Sequence, residues 1–230
     1  MQEFQAISAF FGLIGILFII LAFLLLRKGI NEINFFFILG VIALAISSFI
    51  CMLAFGGFMP NDLKDGAGIF GNILMFWAPV FFFISGMIIL YGSTVLKTFK
   101  SLPSYVVFGL TGLYLIITLI YVLGGFELSR ALVAGASVLV FGLLVNIIIY
   151  YLVYKEIPEQ RNNLTFLLLG MIVSVVAVVI QVASNPTQGL FILPMEFDAI
   201  PGFMINAGIL IFTLAFTSIP RELAEKVSIG

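Results

Sequence analysis

Four uncharged side chains set inside long apolar runs are the residues of this chain best placed to do chemistry: Asn72, Trp77, Gln181 and Asn206. Two carboxamides, a third on a longer stem and an indole N–H supply donors and acceptors but no charge. If they converge, they form a pocket with amide groups and an aromatic wall, suited to an uncharged or amphipathic ligand. The same residues also read as glue between helices. Polar groups in hydrocarbon need partners, and hydrogen bonds between helices supply roughly 0.6–2 kcal/mol each. Further uncharged polar residues share that double reading, among them Ser47, Ser85, Thr111, Tyr114, Thr118, Asn146, Tyr150, Ser174 and Thr213. What is missing narrows the chemistry further. The sequence contains no His, which excludes His-ligated haem, His-based zinc sites and Ser-His or Cys-His catalysis. No Asp or Glu falls within an apolar run, so a membrane carboxylate relay or an aspartyl dyad is not expected. There is no G-x-x-x-x-G-K-[ST] loop. The chain is therefore expected to be no enzyme, with no metal and no cofactor.

The elements that must position these residues follow from composition. The 230 residues are 63% hydrophobic and 9% charged, whereas a soluble domain is about half apolar and a quarter charged. The apolar runs are continuous and about 20 residues long, the span of a bilayer core at 1.5 Å per residue. Barrel strands would instead be short and alternating. The expected fold is all-α: one domain over residues 1–230, a polytopic bundle of seven transmembrane helices at about 7–26, 34–55, 70–92, 105–124, 131–154, 164–184 and 202–218. Gly and Pro punctuate the ends, as at Gly56-Gly57, Pro103, Gly124-Gly125, Pro158, Asn185-Pro186 and Pro220. The third run holds the only Trp, Trp77, and is expected to be the most enclosed.

Orientation follows from Lys and Arg. Assigning alternate loops to alternate sides puts Arg27, Lys28, Lys97, Lys100, Lys155, Arg161, Arg221 and Lys226 on one side, against Lys64 and Arg130 on the other. The richer side is expected to be cytoplasmic, with the N-terminus outside, the C-terminus inside and the protein multi-pass in the cell membrane. MQEFQ lacks the basic region of a cleavable signal, so the first run is expected to remain as a helix. Cys51 is single, so no intrachain disulfide forms. A net charge of −1 leaves no basic surface for nucleic acid. On this orientation Asn72 and Gln181 lie near the outer ends of runs three and six, Asn206 one turn into run seven, and Trp77 deeper. The apolar loop Asn185–Pro201 would lie at the outer interface or fold over the mouth of the bundle.

Pro79 interrupts run three. It removes one backbone hydrogen bond and kinks the helix, as a fixed bend or as a hinge. The carbonyl it frees, near Met75, is expected to take a Ser or Thr donor from a neighbour. An internal echo is also visible. Phe11-Gly12-Leu13-Ile14 is spaced like Phe141-Gly142-Leu143-Leu144, and Phe36 and Gly40 match Phe166 and Gly170 at the same offset. Such a pattern would pair runs one to three with runs five to seven, joined by run four, as in some transporters.

Seven spans with an outside N-terminus resemble the rhodopsin layout, but run seven carries no Lys for a retinal Schiff base. After run seven, Pro220 suits a first helical position, and Glu222 and Lys226 stand one turn apart in the favourable order. In this outline the chain is similar to the seven-helix input domains of prokaryotic sensor kinases. That resemblance implies a sensor or accessory subunit. With no output module in this sequence, it would signal to a partner in trans through helix–helix contacts. The other expectation is a small permease for an uncharged solute, built on the three-plus-one-plus-three repeat. The partners expected are the lipid bilayer and another membrane or cytoplasmic protein or a second copy of the chain.

Overall fold

The computed structural model describes residues 2–27, 29–55, 58–97, 101–124 and 128–183, with positions 208, 211, 214 and 215, and the regular structure among them is helical. In chain order the helices are α1 (Gln2–Arg27), α2 (Glu32–Phe55), α3 (Asn61–Tyr91), the single turn α4 (Thr94–Lys97), α5 (Leu102–Leu123), α6 (Leu128–Glu156) and α7 (Arg161–Ala183). A 3-10 turn, Pro158–Gln160, joins the last two. Five helical segments are long and apolar enough to cross a membrane: Glu32–Ile50, Gly66–Tyr91, Leu102–Leu123, Ser137–Glu156 and Arg161–Ile180. In α1 a shorter apolar segment, Phe11–Arg27, is described. These lengths and compositions are those of a multi-pass membrane protein.

Local chemistry explains where the helices begin and end. Helix α2 starts at Glu32 rather than Asn34 because Asn31 caps it: Asn34 N donates to Asn31 Oδ1 at 2.7 Å. The Asn34 side chain also donates through Nδ2 to the Gly29 carbonyl at 3.0 Å, tying the turn to the start of the helix. Gly29 takes φ 101°, which only glycine adopts without strain. Helix α5 starts at Leu102 because Ser101 accepts from Ser104 N and a Pro stands in the first turn. Helix α3 begins at Asn61 instead of near Phe70, so most of the supposed Gly56–Ile69 loop is helical. It stops at Tyr91, where Gly92 turns the chain with φ 75° and its N–H closes on the Ile88 carbonyl.

Helix α3 is the centre of the bundle. Its span is 67% buried, against 17% for α5, and Ala78–Ile89 is buried throughout except at Phe81. It packs against α2, α5 and α6; α1 lies on α2, and α7 on α6. Two of the three helices packed on α3 run against it and one runs with it. Helix α2 runs against α3, with Ser47 beside Gly71 and Ile33 beside Ser85. Helix α5 also runs against α3, with Tyr121 at Asn72 and Thr118 at Trp77. Helix α6 runs with α3, from Gly135 beside Asn72 to Tyr150 beside Phe82. Arg27, Lys97, Lys155 and Arg161 consequently gather at one end of the bundle.

The inward residues recur at coiled-coil spacing. On α5 they are Val107, Tyr114 and Tyr121; on α6 they are Leu139, Gly142, Asn146, Ile149 and Val153. A repeat averaging 3.5 residues favours shallow, left-handed packing. The outward faces are apolar, with Leu115, Ile116, Leu119 and Leu123 exposed on α5. A soluble protein could not leave so continuous an apolar surface in water.

Candidate functional site

The polar side chains of the bundle are organised around α3. At one end of its span Asn72, itself buried, donates through Nδ2 to the Tyr121 hydroxyl at 2.7 Å. On the α2 side the Ser47 hydroxyl donates to the Gly71 carbonyl at 2.9 Å. Just over a turn deeper, Trp77 Nε1 donates to Thr118 Oγ1 at 2.9 Å, and that hydroxyl donates in turn to the Tyr114 carbonyl at 2.7 Å. The Tyr114 ring packs edge-on to Trp77, while its hydroxyl donates to the Val138 carbonyl of α6 at 3.0 Å. Asn72 and Trp77 thus both bond to α5, at Tyr121 and Thr118, which are one turn apart.

Around Pro79 the bonding shifts to α6. Asn146 Nδ2 donates to the Pro79 carbonyl and to the Gly142 carbonyl on its own helix, both at 2.8 Å. One turn on, the Tyr150 hydroxyl donates to the Phe82 carbonyl at 3.1 Å. Ser85 then donates to the Ile33 carbonyl of α2 at 3.1 Å. The donors near Pro79 are therefore an Asn and a Tyr on α6, aimed at the Pro79 and Phe82 carbonyls; the expected Ser or Thr bond to Met75 is not among those described. A Ser or Thr hydroxyl is too short to cross between helix axes except at closest approach, whereas a Tyr or Asn reaches a facing backbone. Asn146 is fully enclosed, and its Oδ1 has no hydrogen-bond partner.

Two glycines let α6 come close enough for these bonds. A Cβ at Gly135 would lie 2.5 Å from Asn72 Nδ2, and one at Gly142 would meet the Tyr114 hydroxyl and, at 2.8 Å, the Pro79 Cβ. Such approach of backbones over small residues drives helix association in lipid. A cavity of about 10 Å³ lies between Leu44, Ala78, Pro79, Phe82, Leu139, Leu143, Met171 and Ser174. It is at the lower limit for one water molecule, and the Ser174 hydroxyl donates to the Gly170 carbonyl at 2.9 Å. Among the described residues no three His, Cys, Asp or Glu side chains are grouped to hold a metal ion.

Of the residues singled out from sequence, Asn72, Trp77 and Pro79 lie on α3. The side chain of Gln181, Asn206, and the whole Asn185–Pro201 loop lie outside the described residues. Tyr121 is the partner that sequence reading misses. Placed near a helix end, it looks like an interfacial aromatic; its seven-residue spacing from Tyr114 is the signal that assigns it inward. Comparison with protein-family models, with curated proteins and with solved structures gives no match to this chain.

Proposed function

We propose that this is a non-enzymatic seven-span protein of the cell membrane, N-terminus outside and C-terminus cytoplasmic, acting as a sensor or accessory subunit through helix contacts with a partner. The observation that carries this reading is the contrast between α3 and α5. Around α3 the polar groups are bonded to one another or to backbone, which fits the role of holding helices together. Helix α5 touches the bundle along one narrow edge. Its far side carries Gly109 and Gly112, where an added Cβ would meet nothing within 4 Å. Small residues facing out of a bundle allow a second helix to approach closely.

The test is site-specific photo-crosslinking in native membranes, with the probe at 109 or 112 on α5 and at 166 on α7 as comparison. The reading expects one discrete protein adduct from the α5 positions and none from 166. Lipid adducts alone at all three positions would count against it.

A permease for an uncharged solute is the second reading, and one observation favours it. Gly40 of α2 faces Phe82 of α3, and its counterpart Gly170 of α7 faces Gly208 of run seven, as a repeat of helices would give. The other echoed pair departs from that pattern. Gly12 of α1 packs against Met52 of α2, whereas Gly142 of α6 packs against α3 and α5 rather than α7. Proteoliposome swelling with a panel of neutral solutes separates the two readings: solute-dependent swelling above empty vesicles supports the permease.

A further inference from the structure

The bundle end that gathers Arg27, Lys97, Lys155 and Arg161 does not treat its cations alike. Lys97 Nζ lies 3.4 Å from Glu32 Oε1, so its charge is partly neutralised. Lys155 and Arg161 are exposed and have no carboxylate partner among the described residues. Glu156, the next residue along, is exposed and pairs with neither. Both cations lie instead over aromatic rings, as Arg27 does over Phe23 at 5.9 Å; what sets Lys155 and Arg161 apart is that they share one hairpin and one pair of rings. Lys155 Nζ is 4.8 Å from the Tyr151 centroid, and Arg161 Cζ is 5.6 Å from that of Tyr154. The two rings stack with 8° between their planes and 6.3 Å between centroids. A ring face attracts a cation without neutralising it, so both charges stay available while their stems are held. Arg161 also opens α7, and the first turn of that helix contains no acid. The positive end of the α7 dipole thus lies at the same place as the Arg161 charge.

Above this basic foot the outer face of α6 is apolar. Phe141, Leu144, Ile148 and Tyr151 are exposed at helical spacing, and the stripe they make ends at Lys155. We propose that the foot of the α6–α7 hairpin binds one anionic phospholipid, its phosphate between Lys155 and Arg161 and its acyl chains along that stripe. The segment from Lys155 to Arg161 is formally neutral, since it also holds Glu156 and Glu159, so the headgroup is selected by the two ring-held cations locally and not by net charge. The apolar stripe selects a lipid over a soluble phosphate, which would gain nothing from Phe141, Leu144 or Ile148.

The experiment is native mass spectrometry of the full chain in neutral detergent, titrated in parallel with phosphatidylglycerol and phosphatidylcholine of identical acyl chains. The wild type should retain phosphatidylglycerol preferentially. In Lys155→Gln/Arg161→Gln that preference should fall about tenfold or more, given the usual worth of two basic residues at an anionic surface. Arg27→Gln/Lys97→Gln removes the same charge from the same end and should keep the preference. Tyr151→Leu/Tyr154→Leu keeps the cations but not the rings and should weaken retention by a smaller factor. All four substituted positions of the two glutamine variants are exposed, and each sample is checked as monodisperse by gel filtration before titration. Equal loss in the two glutamine variants would reduce the effect to net charge and overturn the site. Displacement of the lipid by millimolar inorganic phosphate would overturn the assignment to a lipid. No preference in the wild type would overturn both.

Discussion

Gly142 is the position where a single methyl group tests the whole account of α3. Substituting Gly142→Ala places a Cβ against the Tyr114 hydroxyl and 2.8 Å from the Pro79 Cβ. Neither neighbour can move cheaply. The tyrosine is fully buried and bonded to Val138, and the proline ring is part of the α3 backbone. Helices α3 and α6 must therefore separate by several tenths of an ångström. That separation also stretches the Asn146 and Tyr150 bonds to the Pro79 and Phe82 carbonyls. Overpacking a core by one methyl costs about 1–3 kcal/mol. Weakening interhelical hydrogen bonds adds about 0.6 kcal/mol each. The propensity of Ala over Gly offsets about 1 kcal/mol of this, so the expected net destabilisation is about 1–3 kcal/mol. Gly109→Ala supplies the comparison, because its Cβ meets nothing within 4 Å. There the helix gains the propensity of Ala over Gly, and stability should hold or rise by up to about 1 kcal/mol. The assay is thermal unfolding of both variants in one detergent, followed by the helical circular dichroism signal. Adding Tyr114→Phe to Gly142→Ala should recover part of the loss, giving a coupling that a double-mutant cycle reads directly. Equal stabilities for Gly142→Ala and Gly109→Ala would refute the close approach of α3 and α6.

Three further outcomes are expected. Tyr121→Phe removes the acceptor for Asn72 and should cost about 0.6–1.7 kcal/mol; Asn72→Leu on that background should add little, and an additive loss would show that the two do not act together. Thr118→Val removes the acceptor for Trp77, the only Trp in the chain, and its emission should move to shorter wavelength; an unchanged spectrum would place the indole elsewhere. Cysteine-accessibility labelling of intact cells should find a terminal tag outside at the N-terminus and inside at the C-terminus, and labelling of both from one side would remove the seven-span reading.

The long apolar runs make the helices legible because a backbone in lipid has few alternatives to a helix. The enclosure of α3 is expected from its place as the third apolar run, uncharged over 70–92 and holding the only Trp, and the structure buries 67% of its span. What escaped was the pairing of polar groups. Nothing in the residues around Asn72 says that its partner is Tyr121, forty-nine positions later. That choice depends on the rotation of α5, which is set by the contacts of Val107 and Tyr114. The start of α3 escaped for another reason. Asn61, Asp62, Lys64 and Asp65 are polar, so hydropathy places the boundary near Phe70, while hydrogen bonding continues the helix to Asn61. Hydropathy reports where lipid would begin, and a helix has no obligation to stop there.

The seam between α3 and α6 bears on how the protein could move. A three-plus-one-plus-three transporter alternates access by rocking one repeat against the other, and here the two groups of helices meet along α3 and α6. Side-chain bonds from Asn146 and Tyr150 to backbone carbonyls cross that seam, and two glycines hold it at close range. Rocking would leave those donors unpaired in a medium without water, a cost of about 1–3 kcal/mol for each. Sliding along the seam is less costly, since a shift of one helical turn offers Asn146 and Tyr150 new carbonyls on α3. The unpartnered Oδ1 of Asn146 shows that the present register leaves one polar atom of the seam unsatisfied. Because α3 is also bonded to α2 and α5 through Ser47, Ser85, Asn72 and Trp77, motion at this seam is expected to carry α2, α3 and α5 together past α6, a movement that a partner helix seated on α5 would share. Cross-linking a cysteine pair across α3 and α6 in a Cys51→Ala background should abolish such a response. A response that survived the cross-link would assign the motion to another seam.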